Sequence, residues 1–210
     1  MLPGGHRADI LAVGRDAAMT GNNREHDRRM NMDASRSTAK NPRVLIQLHV
    51  LLLVVLVWYS VAAYSTLPDR YPVHFNFKGE IDRWAEKGSV EYWMLPVAGV
   101  FLGILLLASL CFPPRWYNFP QKAQVDRWPQ EHRMPVYDTL KEMLMIVALV
   151  IDVMLLAIQV SVVQSAEGHP SKWLAAVFGA ALCLPVVAVV YLVRISRLVK
   201  RIDRELKAAG

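Results

Sequence analysis

The chain has 210 residues, 54% of them hydrophobic and 20% charged, with a formal net charge of +6. A soluble globular chain averages about 45–50% apolar and about 25% charged. Here the apolar residues gather in blocks behind a polar, basic stretch 1–43, which excludes a simple soluble globule. Cys111 and Cys183 both fall inside apolar blocks, which excludes a disulfide scaffold.

Residues 1–43 show little apolar periodicity and many isolated charges. They are expected to form a disordered basic cytoplasmic segment. Met19, Met30 and Met32 are alternative starts for a shorter chain.

Four apolar blocks follow, at about 44–64, 92–112, 143–165 and 173–193. A hydrocarbon core about 30 Å thick takes about 20 helical residues, so each block fits one span and none holds two. Barrel strands would be about 10 residues long and alternate in polarity. These blocks do neither, so the predicted fold is an all-α, four-helix transmembrane bundle. Val61-Ala62-Ala63 has the spacing of a signal-peptidase site, which would leave three spans. The first block is longer than the 7–15 residues of a signal peptide's apolar region, which favours a span.

Lys and Arg set the orientation. With both termini in the cytoplasm, 19 of the 24 lie inside and 5 outside, as the positive-inside rule requires. Trp58, Tyr59, Tyr64, Tyr92, Trp93 and Trp173 then gather at the outer ends of the spans, and Trp116, Tyr117 and Tyr191 at the inner ends. The location this implies is a bacterial cytoplasmic membrane.

The outer loop 66–91 carries the most information. A strand from Val73 to Phe77 would put Val73, Phe75 and Phe77 on one face and His74 and Asn76 on the other. A three-residue turn Phe77-Lys78-Gly79, with Gly79 as a left-handed bulge, closes a hairpin. Asn76 then faces Glu80, Phe75 faces Ile81 and His74 faces Asp82. Pro72 suits the first strand position because it cannot donate to a ladder. The apolar face, with Trp84, is expected to pack on the outer helix ends or sit among headgroups. His74, Asn76, Gly79 and Asp82 form the candidate ligand or partner site. His and Asp are plausible metal ligands, but two or three do not close a structural zinc site. A cross-strand His–Asp hydrogen bond that stiffens the hairpin is the plainer reading.

The string Leu67-Pro68-x-x-Tyr71-Pro72-x-His74-Phe75-Asn76-x-x-Gly79-x-x-Asp82 resembles the signature of a bacterial membrane domain of unknown function. That domain forms the N-terminal part of sporulation-delaying-protein immunity (SdpI-type) proteins. The resemblance covers about residues 45–165, including an Asn-Phe-Pro inner loop at Asn118-Phe119-Pro120. It implies protection against a membrane-active peptide toxin, or relay of that toxin's presence to a membrane-held regulator. The Gly-x-Arg-Thr-x-Trp-like motif of the immunity proteins' C-terminal module has no counterpart in this chain.

Asp152 lies near the middle of the third block. An Asp there costs about 2.5–3.5 kcal/mol of insertion. Twelve Leu, Ile and Val residues between Leu144 and Val162 offset this by roughly 4–7 kcal/mol. Asp152 is either a protonated acid bonded to a neighbouring helix or part of a proton relay, with Gln159 on the same face. His49 is the candidate partner. Depths counted from the block edges differ by roughly 7 Å, so the expectation is contact only through a water.

Gly99-x-x-x-Gly103 and Ala175-x-x-x-Gly179-x-x-x-Cys183 are small-residue stripes that permit close helix packing or a homo-oligomer. Pro185 is expected to kink the fourth block, and a short helix to begin with Pro135 in its first turn. In the tail 194–210, Ile195, Leu198, Val199, Ile202 and Leu206 repeat at helical spacing, with Arg194, Arg197, Lys200, Arg201 and Arg204 around them. That pattern predicts an amphipathic helix lying on anionic lipid. The positive charge belongs to cytoplasmic loops, so nucleic acid is not an expected partner. Neither is a cofactor or metal, and no catalytic motif is present. The expected function is a non-enzymatic membrane protein whose outer loop docks a peptide, lipid or protein partner. The alternatives are a small proton-coupled carrier component using Asp152, or a structural accessory subunit.

Overall fold

The computed structural model describes residues 42–169 and 171–209. The basic stretch expected to be disordered lies, up to residue 41, outside the described residues. The element order is α1 (Pro42–Tyr64), β1 (Arg70–Phe75), β2 (Ile81–Glu86), α2 (Glu91–Ser109), a 3₁₀ turn (Pro114–Trp116), a single helical turn α3 (Lys122–Val125), α4 (Gln130–Ala166) and α5 (Trp173–Ala209). Helices α1, α2, α4 and α5 are each long and apolar enough to cross a membrane. The architecture is the expected multi-pass helical bundle with one two-stranded hairpin.

Most side chains on the apolar stretches point outward: Val54, Trp58, Phe101, Leu182 and Val186 are all exposed. In water this surface would drive aggregation; in lipid it is the ordinary outer surface of a span. The buried side of the bundle is sparse and specific. Gly99 and Gly103 of α2 face α1 and α4. A Cβ on Gly103 would come within 2.5 Å of Leu53 Cδ1, and one on Gly99 within 2.9 Å of Leu56 Cδ2 and 3.1 Å of Leu155 Cδ1. The glycines are what let α2 sit this close.

Helices α4 and α5 continue well past the apolar blocks. Helix α4 begins at Gln130, with Pro135 in its interior rather than in its first turn, and α5 runs unbroken through Pro185 to Ala209. These extensions pack on each other and on the 113–129 segment. Phe119, Val125, Val136, Tyr137, Leu140, Ile195, Val199 and Ile202 form one buried cluster there. The tail's apolar stripe therefore faces protein and does not rest on lipid. The sequence pattern of an interfacial helix and that of a packed helix are the same; the partner is supplied by the α4 extension. Arg194, Arg197, Lys200, Arg201 and Arg204 remain exposed on the opposite side.

Candidate functional site

At the hairpin end of the bundle, β1 and β2 pair with Tyr71 opposite Ala85 and Phe75 opposite Ile81. The overall register is the one expected from a three-residue turn. Locally, Val73 and Asp82 are extra residues on their strands, so the backbone partner of His74 is Arg83. The side chains still meet: His74 Nδ1 is 2.5 Å from Asp82 Oδ1. The strand begins at Arg70 and ends at Phe75, so Pro72 lies inside it, and Phe77 belongs to the turn and is 98% exposed instead of sharing the strand's apolar face. The two compensating bulges explain how Pro72, without an N–H, is accommodated mid-strand.

Asn76 organises the turn. Its Oδ1 accepts from the backbone N–H of Lys78 (2.9 Å) and Glu80 (3.0 Å), and its Nδ2 donates to Glu80 Oε2 (2.8 Å). Gly79 takes φ +81°, the left-handed conformation that a side chain would strain. Both residues are thereby committed to shape. His74 and Asp82 stay on the exposed side, 59% and 43% accessible.

The other side of the hairpin is clamped to the helices. Leu67, Tyr71, Ala85, Tyr92, Val162 and Val163 form a buried cluster joined by Val73, Phe75, Tyr64 and Trp93. Tyr71 and Tyr92 meet edge-on at 5.7 Å, and Tyr71 shares a 2.7 Å hydrogen bond with Ser89. Lys87, which the sequence reading passed over, donates to the carbonyl of Leu67 at 2.6 Å just beyond the end of α1. A cation there also meets the negative end of the α1 dipole. Its signal was available: a lone Lys in a short connection facing a helix C-terminus.

The second polar centre lies within the bundle. His49 on α1 and Asp152 on α4 are in direct contact, His49 Nδ1 to Asp152 Oδ2 at 2.5 Å, with side chains 0% and 4% exposed. The depth argument from block edges is therefore overturned. Leu45 packs in one cluster with Met145 and Ala148, and one turn further along each helix come His49 and Asp152. This packing sets the heights, whereas the block edges mark only where charged residues stop. His49 Nε2 lies 3.3 Å from the Gly103 carbonyl of α2. A carbonyl only accepts, so Nε2 carries a hydrogen. Three helices thus meet at the His49 ring.

Gln159, two turns above Asp152 on α4, is also buried, beside the Tyr92 hydroxyl. Tyr92 donates to the Ser60 carbonyl at 2.8 Å nearby. Leu56 and Leu155, pressed against Gly99, stand between this level and the His49–Asp152 pair. The structure thus does not join Asp152 and Gln159 into one polar chain.

At the tail end, Asp126 accepts from Lys122 and, at 2.5 Å, from Tyr137. The Lys122 hydrogen bond, then that of Tyr137, holds the Asp126 carboxyl below the ordinary range. Burial pushes the Tyr117 hydroxyl up. Arg194 pairs with Glu142 at 3.1 Å. Cys111 and Cys183 are free. No group of three or more His, Cys, Asp or Glu suited to a metal occurs among the described residues.

A model of a domain of unknown function (DUF1648), a membrane-associated domain, matches residues 51–100. That stretch takes in most of α1, the whole hairpin and the first half of α2. No curated protein and no solved structure matches the chain.

Proposed function

We propose that this is a non-enzymatic protein of the bacterial cytoplasmic membrane, with both termini inside, whose outer hairpin docks a peptide or protein partner. The observation that carries the reading is the contrast between the hairpin's two sides. Tyr71 is fully buried against the helices, while Phe77 at the turn is 98% exposed on a tip held by Asn76 and Gly79. A rigid element that displays an aromatic side chain has little ordering entropy left to lose on binding, and such aromatics are typical interface anchors. His74, Asp82, Arg83 and Lys78 on the same hairpin add mixed charge, which suits a polar interface rim. The resemblance to immunity-type proteins supports a role in envelope defence or signalling, with a membrane-active peptide as the partner class. No cofactor and no nucleic acid enters this reading. A Cβ added at Gly179 would meet nothing within 4 Å among the described residues, which leaves room for a homo-oligomer at this stripe.

The test places a photo-crosslinking amino acid at position 77 in the cell of origin. The reading expects one discrete adduct, diminished by His74→Ala or Asp82→Ala. Crosslinks to lipid alone would refute it.

A second reading is favoured by the buried contact between His49 and Asp152: a proton-coupled carrier component. Asp152→Asn would then stop activity while hairpin changes spare it. The docking reading expects the reverse.

A further inference from the structure

Two neighbouring cavities at the hairpin end share one wall. The first is a cleft of about 350 Å³ lined by Gln164, Glu167, His169, Lys172 and Trp173. The second is a slot of about 200 Å³ whose lining includes Val55, Trp58, Val153, Leu156, Val160 and again Trp173. Trp173 thus separates a charged mouth from an apolar slot between α1 and α4. Tyr59 also lines the slot, and Trp173 is the residue common to both cavities. Trp58, Tyr59 and Trp173 mark the level where aromatic side chains collect at a membrane interface. The slot runs from that level toward the hydrocarbon and the mouth opens away from it.

A polar cleft and an apolar slot on either side of one tryptophan offer the two environments an amphiphile needs. The charges select its type. Lys172 makes no ion pair or hydrogen bond among the described residues and is exposed, which suits it to a phosphate. Among the described residues Glu167 has one ion pair, a long contact with His169 at 3.9 Å, which leaves its carboxylate able to accept from a cation. One anion-binding and one cation-binding side chain in the same cleft match a zwitterionic head. A primary ammonium donates hydrogen bonds to a carboxylate; a quaternary one has none to give. We propose that this paired cavity is a binding site for one ethanolamine phospholipid, its phosphate on Lys172, its ammonium on Glu167 and one acyl chain in the slot beside Trp173. The site does not depend on the hairpin's docking a partner.

The test is native mass spectrometry of the detergent-purified full chain. It is equilibrated in turn with phosphatidylethanolamine, phosphatidylcholine and phosphatidylglycerol carrying identical acyl chains. The expected result is a single ethanolamine-lipid adduct held about tenfold over the choline lipid, the discrimination a charge-assisted hydrogen bond supplies. Glu167→Gln brings the two lipids level. Val160→Trp, which fills the slot, reduces all three. Lys172→Gln, an exposed change that tests the same mouth independently, lowers retention of every phospholipid. Equal retention of ethanolamine and choline lipids by the wild type, preference for the glycerol lipid, or an ethanolamine preference that survives Glu167→Gln would overturn the proposal.

Discussion

His49 Nδ1 stands 2.5 Å from Asp152 Oδ2, and both side chains are buried. Removing either partner strands the other in a low-dielectric interior. Asp152→Leu and His49→Leu are each expected to destabilise the bundle by about 3–5 kcal/mol. The double variant His49→Leu with Asp152→Leu should cost much less than their sum, because it leaves no unpaired group. A double-mutant cycle on unfolding in detergent measures this. Additivity within about 0.5 kcal/mol would mean that the two groups do not interact.

The turn at the hairpin tip rests on Asn76 and Gly79. Asn76→Ala removes the acceptor for two backbone N–H groups, and Gly79→Val forces a branched side chain into φ +81°. Each is expected to cost about 1–2 kcal/mol locally. Hydrogen exchange should quicken across residues 70–86 and stay unchanged in α1 and α4. Unaltered exchange in the hairpin would show that other contacts define the turn.

The four spans, the hairpin, its three-residue turn and the His74–Asp82 pair were all legible, because length, hydropathy and the alternation Val73 to Phe77 are local signals. The bulges at Val73 and Asp82 were not. They arise from fitting Pro72 into a ladder while Tyr71 stays buried under Tyr92, and Tyr92 comes from another element. The His49–Asp152 contact was misjudged for a related reason. Relative helix height is set by Leu45 against Met145 and Ala148, and no feature of either block alone encodes it. For Ile195, Val199 and Ile202 the amphipathic pattern was read correctly and its partner wrongly. An apolar stripe specifies that something covers it; here the cover is Val136, Tyr137 and Leu140.

The buried stripe of α5 gives a direct test of that correction. Val199, 2% exposed, faces the tail-end cluster, so Val199→Asp places a carboxylate in an apolar site and should release the tail. Limited trypsin digestion in detergent is expected to cut at Arg201 and Arg204 far faster in this variant. Lys200→Gln, on the exposed side, should digest there like the wild type. Equal rates for Val199→Asp and wild type would indicate that the tail is not held by this face.

Asp126 supplies an acid-sensitive contact at the same end. Its carboxyl is held below the ordinary carboxylate range, chiefly by the Lys122 hydrogen bond. A folded-state pKa below the unfolded one contributes stability above the unfolded value, and that stability is lost as pH falls through the folded one. Melting in detergent should therefore decline below about pH 4, and Asp126→Asn should flatten that decline while lowering stability at neutral pH. An acid limb of the same depth in the variant would assign the sensitivity to other groups.

In the proposed topology the hairpin stands outside the membrane and the α4–α5 extensions inside. The most direct measurement is labelling of intact cells with a membrane-impermeant maleimide, using Lys78→Cys and, separately, Arg204→Cys, each with Cys111 and Cys183 replaced by Ser. Position 78 is predicted to label at once and position 204 only after permeabilisation. Labelling of position 204 in intact cells, with position 78 silent until the membrane is opened, would contradict the account.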